Sequence, residues 1–494
     1  MKVVLMTMPA VWEQDQHDFM NRRKPLFRWL RIPPQVNVVP SPSLLYLAPF
    51  LKEDGHEVVY LEGLFYSLES VLEKLDELEP DLIGMTLLSV DWESGRHMID
   101  QIKDRFPESV LVAGGIHPTL WRHRCLEESR GIDYIVYGEG EITLRELVRT
   151  LEEDGDPAEV KGLAFRRDGE IVITPPRAQV EDIDTLPFPA HELVDIDRYL
   201  PSPTFYKSLP HANIIGARGC PYRCIFCHTD PHVRMRSAEN IADEIEELYR
   251  EHGVRDIAFW DDTFTLSEER AFAFCEEMIR RDIHVDWAVN ARVDRISLPL
   301  LKKMKEAGCW RVLYGVESGV QKNLDTLRKG TTLEQIREAV GMTSQVGIEA
   351  YGTFMFGIPG ETFEEGLQTI DFALSLDLDY AVFVNLTPLP GTEVYRRLME
   401  GDIQPAKFTK DRFNFKNVSF VPKGMTEQQI RYLIQTAHRR FYIRPSLIWK
   451  KIKSIRSPLD LWKYIKGFLL LATAEYEEPC ADTEPVCETG SGEE

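Results

Sequence analysis

The residues best suited to chemistry lie in one short stretch, Arg218-Gly-Cys-Pro-Tyr-Arg-Cys-Ile-Phe-Cys-His228. Cys220, Cys224 and Cys227 form a C-x3-C-x2-C run, so three thiolates can converge on one small inorganic centre from a single tight loop. An ordinary iron–sulfur cluster takes four cysteines. Three leave one iron with an open coordination position for a substrate or cofactor, as a reductive, metal-initiated reaction requires. The competing reading is a structural zinc ion held by these cysteines and His228. It is disfavoured because His228 directly follows Cys227, and adjacent side chains rarely both reach one tetrahedral ion.

The chain that must position this loop has 494 residues, beyond the size at which one hydrophobic core keeps growing, so two or three domains are expected. Its formal net charge of −22 argues against a nucleic-acid partner, which needs a basic surface for phosphates. The remaining cysteines, Cys125, Cys275, Cys309, Cys480 and Cys487, are scattered and do not read as a disulfide framework, so a reducing, cytoplasmic home is expected. The first apolar run ends at Pro9, too early for a secretory signal, and no stretch approaches the roughly 18 apolar residues of a membrane span. The chain therefore reads as neither exported nor membrane-spanning.

Over residues 1–155, short apolar runs alternate with amphipathic segments, the pattern of a doubly wound parallel sheet covered by helices. Strands are expected at 3–7, 57–61, 82–86, 110–114 and 134–137, with helices near 43–53, 68–78, 91–106 and 141–153. Ligands of such a sheet lie beyond the carboxyl ends of its strands. Two of those ends, Val112-Ala-Gly-Gly-Ile-His-Pro-Thr119 and Tyr137-Gly-Glu-Gly-Glu141, carry more glycine than a turn needs, which lets backbone approach a bulky ligand closely. No G-x-G-x-x-G fingerprint follows the first strand, which weakens a dinucleotide reading.

Residues 156–205 read as a linker. Runs at 161–166 and 170–174 flank Asp168-Gly169, a strong hairpin signal, and are followed by Pro175-Pro176 and Leu186-Pro-Phe-Pro-Ala190. From 206 to 400 the alternation resumes, with strands at 213–216, 256–260, 286–290, 311–316, 350–356 and 380–386 and helices near 238–252, 268–281, 298–307, 333–345 and 363–376. Six β/α units make a partial TIM-like barrel, a (β/α)6 rather than the usual eight. The cysteine loop directly follows the first of these strands, at the end where barrel chemistry is placed. The later strands end in Trp260-Asp-Asp-Thr263, Asn290-Ala-Arg292, Gly315-Val-Glu-Ser318, Gly357-Ile-Pro-Gly-Glu361 and Pro388-Leu-Pro-Gly-Thr392, so polar groups fall in phase with the barrel.

With its cysteine spacing and with Phe226 just before the third cysteine, the chain resembles the radical S-adenosylmethionine (SAM) superfamily. The glycine segments, with Thr86-Leu-Leu-Ser89 after the third strand, resemble the cobalamin-binding domain fused to such enzymes. The resemblance extends from residue 1 to about 400. It implies an α/β fold in which a Rossmann-like cobalamin domain precedes a radical SAM partial barrel and a helical C-terminal region. It implies a [4Fe–4S] cluster on Cys220, Cys224 and Cys227. For SAM it implies Phe226 among the binding residues, Asp261 and Asp262 near the amino group, Arg292 near the carboxylate, Glu317 near the ribose, and the backbone of Gly357 and Ile358 near the adenine. For cobalamin it implies Gly114, Gly115 and Gly138 along the nucleotide tail, with Thr86, Ser89, His117, Thr119, Glu139 and Gly140 around them. A plain nucleotide-binding or unliganded Rossmann-like domain is the alternative. The loop Asp15-Gln-His17-Asp-Phe-Met20 has the Asp and His of a cobalt-ligating Asp-x-His-x-x-Gly loop but lacks its glycine, so no protein nitrogen is expected beneath cobalt.

The activity so implied is methyl transfer to an unactivated carbon, through a 5′-deoxyadenosyl radical and methylcobalamin. The alternative is an oxidative cyclase or oxygen-inserting enzyme of the magnesium-protoporphyrin ester cyclase type; a cobalamin- or redox-responsive sensor without turnover is disfavoured. The implied partners are an electron donor such as ferredoxin or flavodoxin and a hydrophobic small molecule such as a lipid, isoprenoid, quinone or tetrapyrrole. Residues 401–476 form a basic helical region. Between Arg431 and Lys466 ten basic residues face the single acid Asp460, interleaved with Phe441, Tyr442, Trp449, Trp462 and Tyr464. That pattern fits peripheral contact with the inner surface of an anionic membrane as well as helices packed on the barrel. Residues 477–494, with Cys480 and Cys487, read as a disordered acidic tail.

Overall fold

The computed structural model describes residues 1–8, 39–202, 204–409 and 418–455. The expected features at Asp15, His17, Lys463, Lys466, Cys480 and Cys487 lie outside the described residues.

The first sheet contains β1 (Lys2–Met6), β2 (Glu57–Leu61), β3 (Leu82–Thr86), β4 (Val110–Gly114), β5 (Tyr134–Val136), β6 (Leu163–Arg167) and β7 (Glu170–Ile173), in the order β2-β1-β3-β4-β5-β6-β7. Both of its faces are covered, which is why its strands read as unbroken apolar runs. Val3 and Leu5 pack with α1 (Pro42–Glu53) and α5 (Glu141–Glu152). Val4 and Met6 pack on the other face, with α2 (Leu68–Leu78), α3 (Trp92–Arg105) and α4 (Ile116–Glu128). Two expectations are corrected. The hairpin read as part of a linker is the antiparallel edge of this sheet: β6 pairs with β5, and Asp168 and Gly169 turn it with φ of 53° and 86°. The segment after β4, where no helix was expected, forms α4 from Ile116. Pro118 is compatible with its first turn, and a kink at Trp121 blurs the helical period.

The second sheet is parallel throughout, in the order β15-β14-β13-β12-β11-β8, with β8 (His211–Ile214), β11 (Asp256–Phe259), β12 (Asp286–Ala291), β13 (Cys309–Glu317), β14 (Glu349–Phe356) and β15 (Tyr380–Asn385). Outside it lie α6 (Ala238–Arg250), α7 (Glu268–Arg280), α8 (Leu298–Glu306), α9 (Gln321–Thr326), α10 (Leu333–Gln345) and α11 (Phe363–Ser375). Capping boxes at Thr332/Gln335 and Thr362/Glu365 start α10 and α11. Every second strand residue faces these helices. Phe259 and Trp287 meet Phe264 and Phe274 in an aromatic cluster, where one Phe→Ala change costs about 3–5 kcal/mol. The intervening residues face the concave side, where Ala258, Asn290, Leu313, Thr353, Val382 and Val384 are half-buried and His211, Asn213, Asp256, Arg311, Tyr351 and Met355 are buried.

The C-terminal region opens with α12 (Glu393–Met399) and an antiparallel pair, β16 (Pro405–Phe408) and β17 (Phe420–Pro422), before α13 (Glu427–Tyr442) and α14 (Pro445–Ser454). Ile430, Leu433, Ala437 and Phe441 of α13 join the barrel core. At the barrel's base Arg311 pairs with Glu349 at 2.6 Å, and Lys451 of α14 reaches the same carboxylate at 3.2 Å.

Candidate active site

The cysteine loop hangs between β9 (Ala217–Arg218) and β10 (Arg234–Met235), a two-stranded antiparallel ribbon just beyond β8. At its entry Gly219 has φ of 88°, and a Cβ there would lie 2.3 Å from the His232 carbonyl oxygen, so only glycine fits. The Cys220 amide then donates to the Asp230 carbonyl at 2.8 Å. Inside the loop Ile225 is fully buried against Leu327, Met355, Ile358, Leu386 and Val394. Its amide donates to the Leu327 carbonyl at 3.1 Å and its carbonyl accepts from the Val394 amide at 2.9 Å, which sews the loop to the end of α9 and the first turn of α12. Tyr222 lies 3.5 Å beneath the Arg292 guanidinium, and its hydroxyl accepts from Arg295 at 2.7 Å. His228 turns outward and donates to the Gly391 carbonyl at 3.0 Å, away from a tetrahedral site with its neighbour Cys227.

The three thiols are thus presented from one braced loop, with Cys220 and Cys224 half-buried and Cys227 exposed. Although Cys227 is exposed as a residue, desolvation of its thiol, then the Asp262 carboxylate and the two neighbouring thiols, push it up to about 11. Burial also raises Cys224, against Lys329 and Arg292. Protonated thiols at ordinary pH are poor nucleophiles, and a cationic iron centre is what would draw them into the thiolate form. The set fits a cluster rather than a reactive cysteine.

Several residues expected near SAM are engaged by neighbouring groups of the chain. Asp261 is fully buried; it accepts from the Gly216 amide at 2.6 Å and pairs with Arg270 at 3.2 Å, so it braces the chain entering the loop. Asp262, one residue on, is exposed toward Cys227, and burial of its surroundings and Asp261 raise its pKa. Arg292 donates through Nε and Nη2 to Asp294 at 2.9 and 3.0 Å and through Nη2 to the Lys329 carbonyl at 2.8 Å, which fixes its guanidinium over Tyr222. The Gly357 and Ile358 amides are both taken by Glu361, at 2.6 and 3.1 Å, leaving the Ile358 side chain beside Phe226 as apolar surface. Glu317 is buried in the left-handed region, φ 67°, and accepts from Lys329 Nζ at 2.9 Å. Lys329 was not singled out from the sequence. It lies in the turn Leu327-Arg-Lys-Gly330, its ammonium is 6.0 Å from the Phe226 ring, and it is nearly buried beside Cys224. The only local signal is a lysine in a turn that follows a strand end carrying an acid.

At the carboxyl ends of the first sheet lies a cavity of 330 Å³, within the usual size of small-molecule sites. Thr86, Gly114, Gly115, Gly138, Glu139 and Gly140 line it, joined by Ile215 and Arg218 from the barrel side. Gly115 has φ of 95°, and a Cβ there would lie 2.8 Å from the Leu87 carbonyl oxygen. The glycine therefore preserves both the chain path and the cradle. Thr119 supports this loop by accepting from the Gly138 amide at 3.1 Å. Ser89 and His117 do not line the cavity. The first turn of α4 carries His117 inward, where it stacks 4.8 Å from Trp92 and bonds Ser89 at 3.1 Å. Glu139 is also engaged, by Arg218 and Arg234 at 2.9 and 2.8 Å.

An α/β domain with a glycine-lined cavity at its parallel strand ends faces a six-stranded open barrel that offers three thiols, so two candidate sites meet at one domain boundary. Two family models match in these places: the B12 binding domain over residues 36–148 and the radical SAM superfamily over residues 214–373. The chain is 32% identical to an uncharacterized methyltransferase of Pyrococcus horikoshii, over 84% of this chain and 90% of that one. It is 31% identical to the anaerobic magnesium-protoporphyrin IX monomethyl ester cyclase of Rubrivivax gelatinosus, over 83% of this chain and 75% of that one. Among solved structures, the radical SAM methyltransferase TsrM of Kitasatospora setae superposes with a TM-score of 0.69 at 22% identity, covering 90% of both chains. The chain belongs to the cobalamin-binding branch of the radical SAM superfamily. It is an enzyme whose cofactors are an iron–sulfur cluster, SAM and cobalamin, and its named relatives favour methyl transfer, with the cyclase as a secondary reading. Such an enzyme needs an electron donor and a substrate. No helix among the described residues is long and apolar enough to cross a membrane.

Proposed function

We propose that the enzyme methylates an unactivated carbon of a hydrophobic small molecule, drawing its electron from a ferredoxin- or flavodoxin-like carrier in the cytoplasm. The observation that carries the substrate class is the concave face of the barrel. Toward the carboxyl ends its half-buried positions are Ala258, Asn290, Leu313, Gly315, Thr353, Val382 and Val384, all uncharged, while the half-buried acids at the strand starts, Asp286 and Glu349, are paired with Lys207 and Arg311. The flanking charges are already matched, Arg311 with Glu349 at the base and Lys329 with Glu317 at the top. A charged substrate would be desolvated there without a partner, whereas an apolar one gains from burial. When bound, the cofactors supply the hydrogen-abstracting radical and the methyl group. The chain's own part is positional: Cys220, Cys224 and Cys227 would hold the cluster, Phe226 and Ile358 would give the adenine an apolar surface, and Thr86, Gly114, Gly115, Gly138 and Gly140 would cradle the cobalamin. The test is anaerobic turnover on extracts of a deletion strain, with mass spectrometry of lipids and pigments. A product heavier by one methyl, formed with 5′-deoxyadenosine and S-adenosylhomocysteine, is expected. A product oxidised or cyclised without methyl gain would replace this reading with the cyclase.

We also propose that the C-terminal helices touch an anionic membrane. Ile443, Ile448, Trp449 and Ile452 are 52%, 43%, 59% and 53% exposed, and Lys453 lies 5.0 Å from the Trp449 ring. The basic surface is smaller than the composition implied, since Arg431, Arg440, Lys450 and Lys451 are paired with Glu427, Asp371, Asp379 and Glu349. Salt-sensitive binding to anionic liposomes is expected, and Trp449→Glu should abolish it. Indifference of the intact chain to such liposomes at low salt would remove the membrane from the scheme.

A further inference from the structure

The ribbon that carries the cysteine loop makes a second attachment, to the cavity of the first domain. Arg218 and Arg234 stand directly opposite one another in the antiparallel pair. Like charges in that position repel unless an anion lies between them. The anion is Glu139: Arg218 Nη1 donates to it at 2.9 Å, and Arg234 donates through Nη1 at 3.0 Å and lies 2.8 Å away through Nη2. Arg218 Nη2 also donates to Glu141 at 2.6 Å, and its guanidinium covers Tyr46 at 5.4 Å. Against the upward push of burial, Arg234 and Arg218 keep Glu139 below its ordinary value, so the carboxylate is charged and fully used. Glu139 lies between Gly138 and Gly140, both of which line the cavity, and Glu141 is the first residue of α5. On the other side there is no slack. Gly219 is the single residue between Arg218 and Cys220, and it already sits against the His232 carbonyl.

We propose that Arg218 and Arg234, gripping Glu139 and Glu141, are positioning residues that couple the occupancy of the cavity to the geometry of the three-cysteine loop. The proposal rests on the reading that the cavity takes cobalamin and the loop takes the cluster. A ligand that orders the Gly138–Gly140 turn fixes Glu139, the ribbon and Cys220 together, and a cluster that orders the loop presents the same turn to the cavity. Such coupling is reciprocal by linkage, and a roughly tenfold effect lies within its usual range. This arrangement keeps the two halves of the reaction in register across a boundary between two cores.

The experiment uses the full chain, anaerobic, before and after cluster reconstitution, titrated with hydroxocobalamin and followed by its visible spectrum. The reverse direction is read from the electron paramagnetic resonance spectrum of the reduced cluster with and without hydroxocobalamin. The wild type should bind hydroxocobalamin roughly tenfold more tightly once the cluster is present, and its cluster signal should shift on binding. In Glu139→Gln, which keeps the shape but weakens the grip, and in Arg218→Lys, which keeps charge but loses the fork, the ratio should fall to about one and the shift should vanish, at unchanged iron content. A ratio and a shift that persist in Arg218→Lys overturn the proposal, and that variant decides the matter if Glu139→Gln does not fold. A wild type that takes no hydroxocobalamin sinks the cobalamin reading itself, whereas one that binds it without regard to the cluster sinks only the coupling.

Discussion

Substituting Gly219 by alanine tests whether the ribbon entry is what holds the cysteine loop. The new methyl would meet the His232 carbonyl oxygen at 2.3 Å and the Asp230 carbonyl oxygen at 2.8 Å, both backbone atoms that cannot swing aside. The residue's φ of 88° adds the cost of a left-handed conformation, about 1–2 kcal/mol for a residue with a Cβ. Relief requires the two sides of the loop to part, which breaks the Cys220 to Asp230 hydrogen bond and forfeits about 0.5–1.5 kcal/mol more. The sum, about 1.5–3.5 kcal/mol, falls on a loop outside the barrel core, so the chain should fold while Cys220 leaves the position it shares with Cys224 and Cys227. Iron per chain after anaerobic reconstitution should fall well below that of the wild type, with the circular dichroism spectrum retained and hydroxocobalamin bound only as tightly as by the cluster-free wild type. Full iron loading with an unaltered paramagnetic resonance signal in Gly219→Ala would refute the argument, because it would mean that the loop tolerates a displaced entry.

Gly115→Ala is expected to do the converse, since Gly115 lines the cavity and its methyl would fall 2.8 Å from the Leu87 carbonyl oxygen; hydroxocobalamin affinity should drop at least tenfold while iron content stays constant, as titration and iron assay will show. Lys329→Met removes the buried partner of Glu317 and the cation beside Cys224. A buried pair broken on one side costs about 3–5 kcal/mol, and the change SAM produces in the cluster's paramagnetic resonance spectrum should be lost in this variant even where the cluster loads. Glu361 supplies a pH signature: burial raises its carboxyl from 4.5 to about 7, so the folded chain holds a proton that the unfolded chain has lost. Stability from this group is complete below 4.5, falls as the pH rises through about 7, and changes no further above it, a difference of up to about 3 kcal/mol. Thermal melts across that interval should show the wild type losing stability relative to Glu361→Gln, and parallel pH profiles would contradict the assignment.

The parallel sheets were legible in the sequence for a definite reason. A strand covered on both faces must be apolar at every position, so the expected spans 57–61, 82–86 and 110–114 coincide with β2, β3 and β4. The glycines of the cavity and the spacing of the thiols were legible because backbone approach and ligand convergence impose residue types locally. Helix α4 was not, because its first turn contains Gly-Ile-His-Pro and its period breaks at Trp121. The division of labour among charged residues was not legible either. Whether Asp261, Arg292 or Glu139 meets a ligand or a neighbour depends on which partner the fold delivers. For Glu139 the partners are Arg218 and Arg234, 79 and 95 residues away. Ion pairs are satisfied by whatever opposite charge lies nearest in space, and a pattern read along the chain has no access to that distance; only the docking of the two sheets decides it.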